Sequence, residues 1–393
     1  MARLASTVAG TPHSGIREML ALARAVPDVL NLGVGDPNFV TPSHIIEAAA
    51  QAARDGFTKY PPSEGFASLR QLLAAKVKTR NGLDVTEEHV VVTSGGTGGL
   101  FTSLLVLADP GDEILLPDPG WANYPPMAHV LSARPVFYPL DPGRGWAPDL
   151  DALASRVTAR SKVIVLTSPG NPTGGVHHAE DLTGVLELAR RRDIWVISDE
   201  SYDEIVFEGT HVSAAALGDA DRVLTVFTLS KTYAMTGWRL GYVVAPPAVA
   251  ASLGKAQEPV VGSTSSIAQK AGEAALTGPQ DCVREMCDAY RTRRDLAAAV
   301  LDGADVGYVR PRGAFYLMVD VSAAGDSVTF ARTLLEREHV SVVPGSAFGP
   351  NGEGWVRVSL CIDPDVLSEG LRRLAHVVAG CSRDRLTSAG TLD

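Results

Sequence analysis

Val223-Leu224-Thr225-Val226-Phe227-Thr228-Leu229-Ser230-Lys231-Thr232-Tyr233-Ala234-Met235-Thr236-Gly237-Trp238-Arg239 is the stretch that decides how this chain is read. The apolar run Val223 to Phe227 predicts a strand buried on both faces. It ends in hydroxyl residues, then one lysine, then an arginine eight positions later. A lysine just past the end of a buried strand sits at the rim of a sheet, where open α/β proteins place ligands. Low polarity at such a place lowers the amine pKa, and a neutral amine can form a Schiff base. The arginine can hold a phosphate. A solvated lysine in an ordinary strand-to-loop turn has the same local sequence, so the rest of the chain must decide between the two.

Outward from this stretch, apolar runs alternate with helical patterns. Strands are expected at Val90–Thr93, Glu113–Leu116, Pro135–Tyr138, Val163–Thr167, Trp195–Ser198, Val223–Thr228 and Leu240–Ala245, with helices at Thr97–Leu107, Leu150–Arg156 and Glu180–Arg192. That alternation argues for βαβ units, and runs apolar on consecutive residues argue for strands covered on both faces. The expected fold is α/β, a mostly parallel central sheet sandwiched by helices, with a smaller α+β domain. Earlier helices are expected at Pro42–Asp55 and Gly65–Arg80. After Pro246 the pattern changes to a long helix at Asp281–Val300, strands at Phe315–Val319, Val340–Val343 and Trp355–Leu360, and helices at Val328–Arg337 and Leu367–Val378. This predicts an N-terminal segment, 1–45, packing with the small domain, a large domain over 46–280 and a small one over 281–393.

Composition bounds the rest. The chain has 393 residues, 45% hydrophobic and 20% charged, as expected of a globular protein of two domains. A net charge of -10 with no basic patch argues against nucleic acid as a partner. No window approaches the ~20 apolar residues of a membrane span, and residues 1–15 lack a signal-peptide core. Cys282, Cys287, Cys361 and Cys381 have neither metal-like nor redox spacing, which fits reduced thiols in a cytoplasmic protein with no bound metal. The polar end, Ser382 to Asp393, is expected to be a loose tail.

Four further motifs close strands. Thr93-Ser94-Gly95-Gly96-Thr97-Gly98-Gly99 opens a helix, where glycines admit an anion to free N–H groups. It is neither a Walker loop nor a dinucleotide fingerprint, and a flexible turn reads equally well. Ser168-Pro169-Gly170-Asn171-Pro172 presents an asparagine amide on a backbone stiffened by two prolines. Trp195 to Tyr202 ends a buried strand in Asp199, which needs a cation or a metal there unless it is simply a helix N-cap. Pro117 to Tyr124 offers the aromatic face of Trp121. Arg357 lies inside the alternating strand Trp355 to Leu360, where a solvent-facing role is the bland alternative.

In this order the motifs resemble the class I/II aminotransferase family of fold-type I pyridoxal-phosphate enzymes. The resemblance runs from Leu32-Gly33-Val34-Gly35-Asp36-Pro37 to Arg357. It implies pyridoxal 5'-phosphate as cofactor, joined to Lys231 as a Schiff base, with Lys231 then moving the substrate Cα proton. It implies Asp199 against the ring nitrogen, Tyr202 and Asn171 on the ring oxygen, and Trp121 on the ring face. Gly96, Thr97, Thr228, Ser230 and Arg239 would hold the phosphate, and Arg357 the substrate carboxylate. Gly35 resembles the glycine that lets an N-terminal segment close. Tyr60 matches a tyrosine that reaches the neighbouring subunit's phosphate, which implies a homodimer with shared sites. The implied partners are amino-acid and 2-oxo-acid substrates, exchanged in a ping-pong reaction.

Two departures bear on the substrate. Thr97 stands where many relatives carry a lysine that binds a distal acid, and Glu258 stands near a segment that can lend an arginine across the interface. Both argue against aspartate as principal donor, and Glu258 favours a neutral, polar or basic side chain. Two other readings stay open here: a pyridoxal-phosphate lyase or cyclising enzyme on the same scaffold, and a cofactor-binding regulatory protein without turnover.

Overall fold

The computed structural model describes residues 5–11 and 15–389. Eight strands form the main sheet: β1 (Val90–Thr93), β2 (Glu113–Asp118), β3 (Arg134–Asp141), β4 (Ala147–Pro148), β5 (Ser161–Thr167), β6 (Trp195–Asp199), β7 (Val223–Thr228) and β8 (Gly241–Val244). They lie in the order β1-β8-β7-β6-β5-β2-β3-β4. The five strands β7, β6, β5, β2 and β3 are parallel neighbours, as the consecutive apolar runs predicted. β8 runs antiparallel to both β1 and β7, and β4 antiparallel to β3.

Alternate residues of each central strand feed different cores. Val163 and Val165 of β5 pack in one apolar cluster, and Ile164 and Leu166 in another on the opposite face. Around β5, β6 and β7 both faces are covered and nearly every residue is buried, which is why the sequence shows unbroken apolar runs there; β3, toward the sheet edge, is only partly buried.

The second layer is a four-stranded antiparallel sheet of β9 (Tyr308–Val309), β10 (Tyr316–Asp320), β11 (Val343–Pro344) and β12 (Trp355–Ser359), in the order β9-β10-β12-β11. The strand expected at Val340–Val343 is divided. Val340–Ser341 pairs in parallel with Leu30–Asn31, while Val343–Pro344 pairs with β12. The N-terminal helix Gly15–Ala23 buries Met19 and Ala23 in the same cluster as Leu334, Val356 and Leu371.

Sequence reading passed over two helices, Pro247–Val261 and Ser266–Thr277. Their buried faces are mostly small or polar residues, such as Ala250, Gly254 and Gln257, or Ala268, Gln269 and Gly272, so hydrophobic periodicity is faint. The last helix runs Pro364–Ala389, through much of the expected tail, whose final residues 390–393 lie outside the described residues. Cys282, Cys287 and Cys361 are free thiols; the Cys381 side chain lies outside the described residues. Among the described residues no helix is long and apolar enough to cross a membrane, and no group of three or more His, Cys, Asp or Glu side chains could hold a metal ion.

Candidate active site

Parallel pairing brings the carboxyl ends of β5, β6 and β7 to one edge of the sheet, with Thr167 beside Asp199 and Asp199 beside Val226. β8 runs the other way, so its first residue, Gly241, sits beside the last residues of both β1 and β7, Thr93 and Thr228. The segments leaving these strands therefore converge: the glycine turn after β1, Asn171 after β5, Lys231 after β7, and Arg239 just before β8. Between them lies a cavity of about 370 Å³.

Every residue assigned a catalytic, cofactor or substrate contact from the sequence lines this cavity except Tyr60. Gly35, Gly96, Thr97, Trp121, Asn171, Asp199, Tyr202, Thr228, Ser230, Lys231, Arg239 and Arg357 all do. Tyr60 is 95% exposed, outside its own chain's cavity. Glu258 lies on the exposed last turn of the helix Pro247–Val261 and does not line it either.

Lys231 follows β7 on the short helix Leu229–Thr232. Its Nζ donates to the Gly35 carbonyl at 3.1 Å and stands 5.6 Å from the Phe315 ring centroid. Burial lowers the amine pKa, and the nearby Arg239 and Arg357 push the same way, against Cys361 and Asp36. The solvated-lysine alternative therefore does not hold. Gly35 must be glycine for a local reason: a Cβ there would overlap the Tyr316 hydroxyl.

Asp199 ends β6, 5% exposed. It accepts from the Ser201 amide at 3.1 Å, the Ser201 hydroxyl at 2.6 Å and the Tyr124 hydroxyl at 2.7 Å. No helix follows it, so it is not an N-cap. Among the described residues it has no ion pair, and burial raises its pKa. A carboxylate held this way, without a cation, suits a protonated heterocyclic nitrogen brought by a ligand.

The phosphate-binding expectation fits the glycine turn. Gly95 takes φ +73° at the start of the helix Gly95–Leu107. A Cβ on Gly95 would come within 2.6 Å of Arg239 Nη2, so glycine lets the guanidinium lie against the helix N-terminus. The hydroxyls of Thr228 and Ser230, hydrogen-bonded at 2.8 Å, complete a donor-rich corner. Arg239 also donates to the Thr236 carbonyl at 2.8 Å.

Arg357 is not solvent-facing: on β12 it is 3% exposed. Its Nη1 donates to Asn171 Oδ1 at 3.0 Å and its Nη2 to the Gly33 carbonyl at 2.8 Å. Its guanidinium lies 4.3 Å from the Tyr316 ring centroid, and its buried Nε has no hydrogen-bond partner. Burial lowers its pKa, since both acceptors are neutral. An unneutralised buried guanidinium with an idle donor calls for an anion. Tyr202, its pKa well raised by burial, donates to the Tyr316 hydroxyl at 3.3 Å.

Sequence reading gave no role to the lining residues Asn123, Ser201 and Tyr316, to a wall of Ile16, Arg17, Leu20 and Leu100, or to Tyr124, which lies behind Asp199 rather than on the cavity. Tyr124 was quoted as part of a motif, yet its contact with Asp199 spans 75 positions and leaves no local signal.

Known proteins resemble the chain along nearly its whole length. The family model for aminotransferase class I and II matches residues 27–374. An aspartate/prephenate aminotransferase of Thermus thermophilus is 39% identical over 364 residues, 91% of this chain and 93% of that protein. An arginine–pyruvate transaminase of Pseudomonas aeruginosa is 38% identical over 364 residues, again 91% of this chain and 93% of that protein. The solved structure of an aspartate aminotransferase from Thermus thermophilus with maleate superposes with a TM-score of 0.91 at 37% identity, covering 96% of this chain and all of that one.

Proposed function

The chain belongs to the aminotransferase class I and II family and is an aminotransferase, and on that premise we propose that it carries pyridoxal 5'-phosphate on Lys231 and shuttles an amino group from an L-amino acid to a 2-oxo acid in two half-reactions. The observation that carries this reading is that one cavity holds both the Lys231 amine, its pKa lowered by burial, and the buried Asp199 carboxyl group, which has no cationic partner among the described residues.

When bound, the cofactor supplies an aldehyde for the amine and a ring able to accept the electron pair left by the departing Cα proton. The residues divide the remaining work. Lys231 holds the cofactor and then carries the proton to and from the substrate Cα. Asp199 keeps a proton on the ring nitrogen, and Ser201 and Tyr124 keep Asp199 oriented. Tyr202 and Asn171 would serve the ring oxygen and Trp121 the ring face. Gly96, Thr97, Thr228, Ser230 and Arg239 would hold the phosphate. Arg357 takes the substrate α-carboxylate, and its fixed bonds to Asn171 and Gly33 set the angle of approach.

The Lys231 amine gives the reading a pH signature. A lowered pKa means that the neutral, nucleophilic form is populated at lower pH than for a free lysine. The rate at which apoenzyme captures pyridoxal phosphate should rise with pH and level off through a pKa below the ordinary lysine value of 10.5. Stopped-flow absorbance across the pH range measures it. A midpoint at or above that value would contradict the environment assigned to Lys231.

The proposal includes a homodimer with shared sites. Tyr60 is exposed, and its loop is tied to the neighbouring helices by Ser266 to the Lys59 carbonyl and by Gln257 to the Ser63 carbonyl. That helix end also exposes Val260 and Val261, an apolar surface suited to a second copy. Mixing Tyr60→Ala and Lys231→Ala subunits tests the sharing. The hybrid contains one complete site, with Lys231 from one subunit and Tyr60 from the other. Unfolding and refolding the two variants together should restore tight cofactor binding that neither has alone. Absence of any gain would show that Tyr60 acts within its own chain or not at all.

A further inference from the structure

We propose that Arg17 reads the far end of the substrate side chain and makes the site select against a cationic one. The inference rests on the aminotransferase reading and concerns the one part of the cavity that this reading leaves without a task. Four cationic side chains line the cavity, Arg17, Lys231, Arg239 and Arg357, against the single carboxylate of Asp199. Amine chemistry, phosphate and α-carboxylate occupy three of the four. Arg17 has no hydrogen bond or ion pair among the described residues.

Its helix is held so that Arg17 borders the cavity while staying exposed to solvent. Met19 and Ala23 of Gly15–Ala23 are buried against the small sheet. A Cβ on Gly15 would stand 3.0 Å from Ala347 Cβ, so the helix start also lies close to that layer. Glu18 is bonded to Arg332 at 2.5 Å and leaves its neighbour Arg17 uncompensated. With these positions committed, Ile16, Arg17 and Leu20 are the helix residues on the cavity. The wall they make is apolar with one guanidinium, a shape for a side chain whose stem is apolar and whose end is anionic or polar.

The charge argument excludes as well as admits. A lysine or arginine side chain in this partly closed site would meet a like charge with no carboxylate on the wall to offset it. Glu258, which on sequence alone favoured a basic substrate, does not line the cavity.

The test is kcat/KM of the holoenzyme for aspartate, asparagine and arginine as donors, in the wild type and in Arg17→Gln, Arg17→Glu and Arg24→Gln. Arg24 is exposed like Arg17 but does not line the cavity, so its substitution removes the same formal charge elsewhere. Arg17→Gln should lower the aspartate-to-asparagine ratio by about tenfold or more, the scale of one charge-assisted pair. Arg17→Glu should raise arginine relative to aspartate, and Arg24→Gln should leave both ratios in place. A ratio that Arg17→Gln does not move, or that Arg24→Gln moves equally, overturns the role of Arg17 alone. A wild type that converts no amino acid to its oxo acid overturns the functional reading as well.

Discussion

Lys231→Ala should lower kcat by at least ~10⁴-fold, because proton transfer by a positioned group alone contributes about 10²–10⁴ and covalent attachment adds to it. The fold should not suffer. Lys231 Nζ makes one hydrogen bond, to the Gly35 carbonyl, and its pKa is lowered because burial disfavours the charged amine. Alanine removes a group that is costly to bury and leaves the Thr228–Ser230 hydroxyl pair untouched. Thermal unfolding of the two apoenzymes should therefore give midpoints that coincide or favour the variant. Steady-state rates and the melting curve together check the claim. A variant that keeps more than about 1% of kcat would show that another base moves the proton.

Asp199→Asn should cost about 10²–10⁴ in kcat, the rate equivalent of the ~3–5 kcal/mol lost when one partner of a buried charge pair is removed. The amide keeps the shape and, through its oxygen, the Ser201 contacts, while its NH2 donates to the Tyr124 oxygen where the carboxylate accepted, so the charge and one acceptor go. A purely structural role predicts a different result in the apoenzyme. The Asp199 pKa is raised in the folded state, so its contribution to stability is present below the unfolded carboxyl pKa of 3.8 and is lost as pH rises through the folded value. Above the unfolded carboxyl pKa the buried acid is therefore a burden on the fold, and Asp199→Asn apoenzyme should be at least as stable as wild type. Cofactor binding should reverse that order, stabilising the wild type more than the variant. Equal stabilisation of both by pyridoxal phosphate would mean that Asp199 does not face the ring nitrogen.

These expectations draw on two kinds of information, and only one was legible in the sequence. Residues that end buried strands, Asp199 and Thr228 with Lys231 just beyond, announce themselves because the strand is apolar and the interruption is polar. The central sheet was readable for the same reason, since parallel strands covered on both faces leave long apolar runs such as Val163–Thr167. Arg357 was harder: an arginine in an alternating strand reads as exposed, and its burial is explained by long-range partners, the Tyr316 and Phe348 rings and the Asn171 and Gly33 carbonyls. Helices built on small residues, Pro247–Val261 and Ser266–Thr277, carry weak periodicity and were invisible. Tyr124 and Arg17 reach the site through long-range packing, which no local pattern encodes.

The central claim is that an amino group is moved from donor to acceptor, with Lys231 holding the cofactor. It is tested most directly by mixing holoenzyme with an excess of amino acid and no 2-oxo acid, and counting the oxo acid released per cofactor-loaded site. The account predicts one equivalent per site and then a halt, with further release only when a second 2-oxo acid is added, and none from Lys231→Ala. Continuous release of oxo acid and ammonia without an acceptor would contradict it and identify the enzyme as a lyase on the same scaffold.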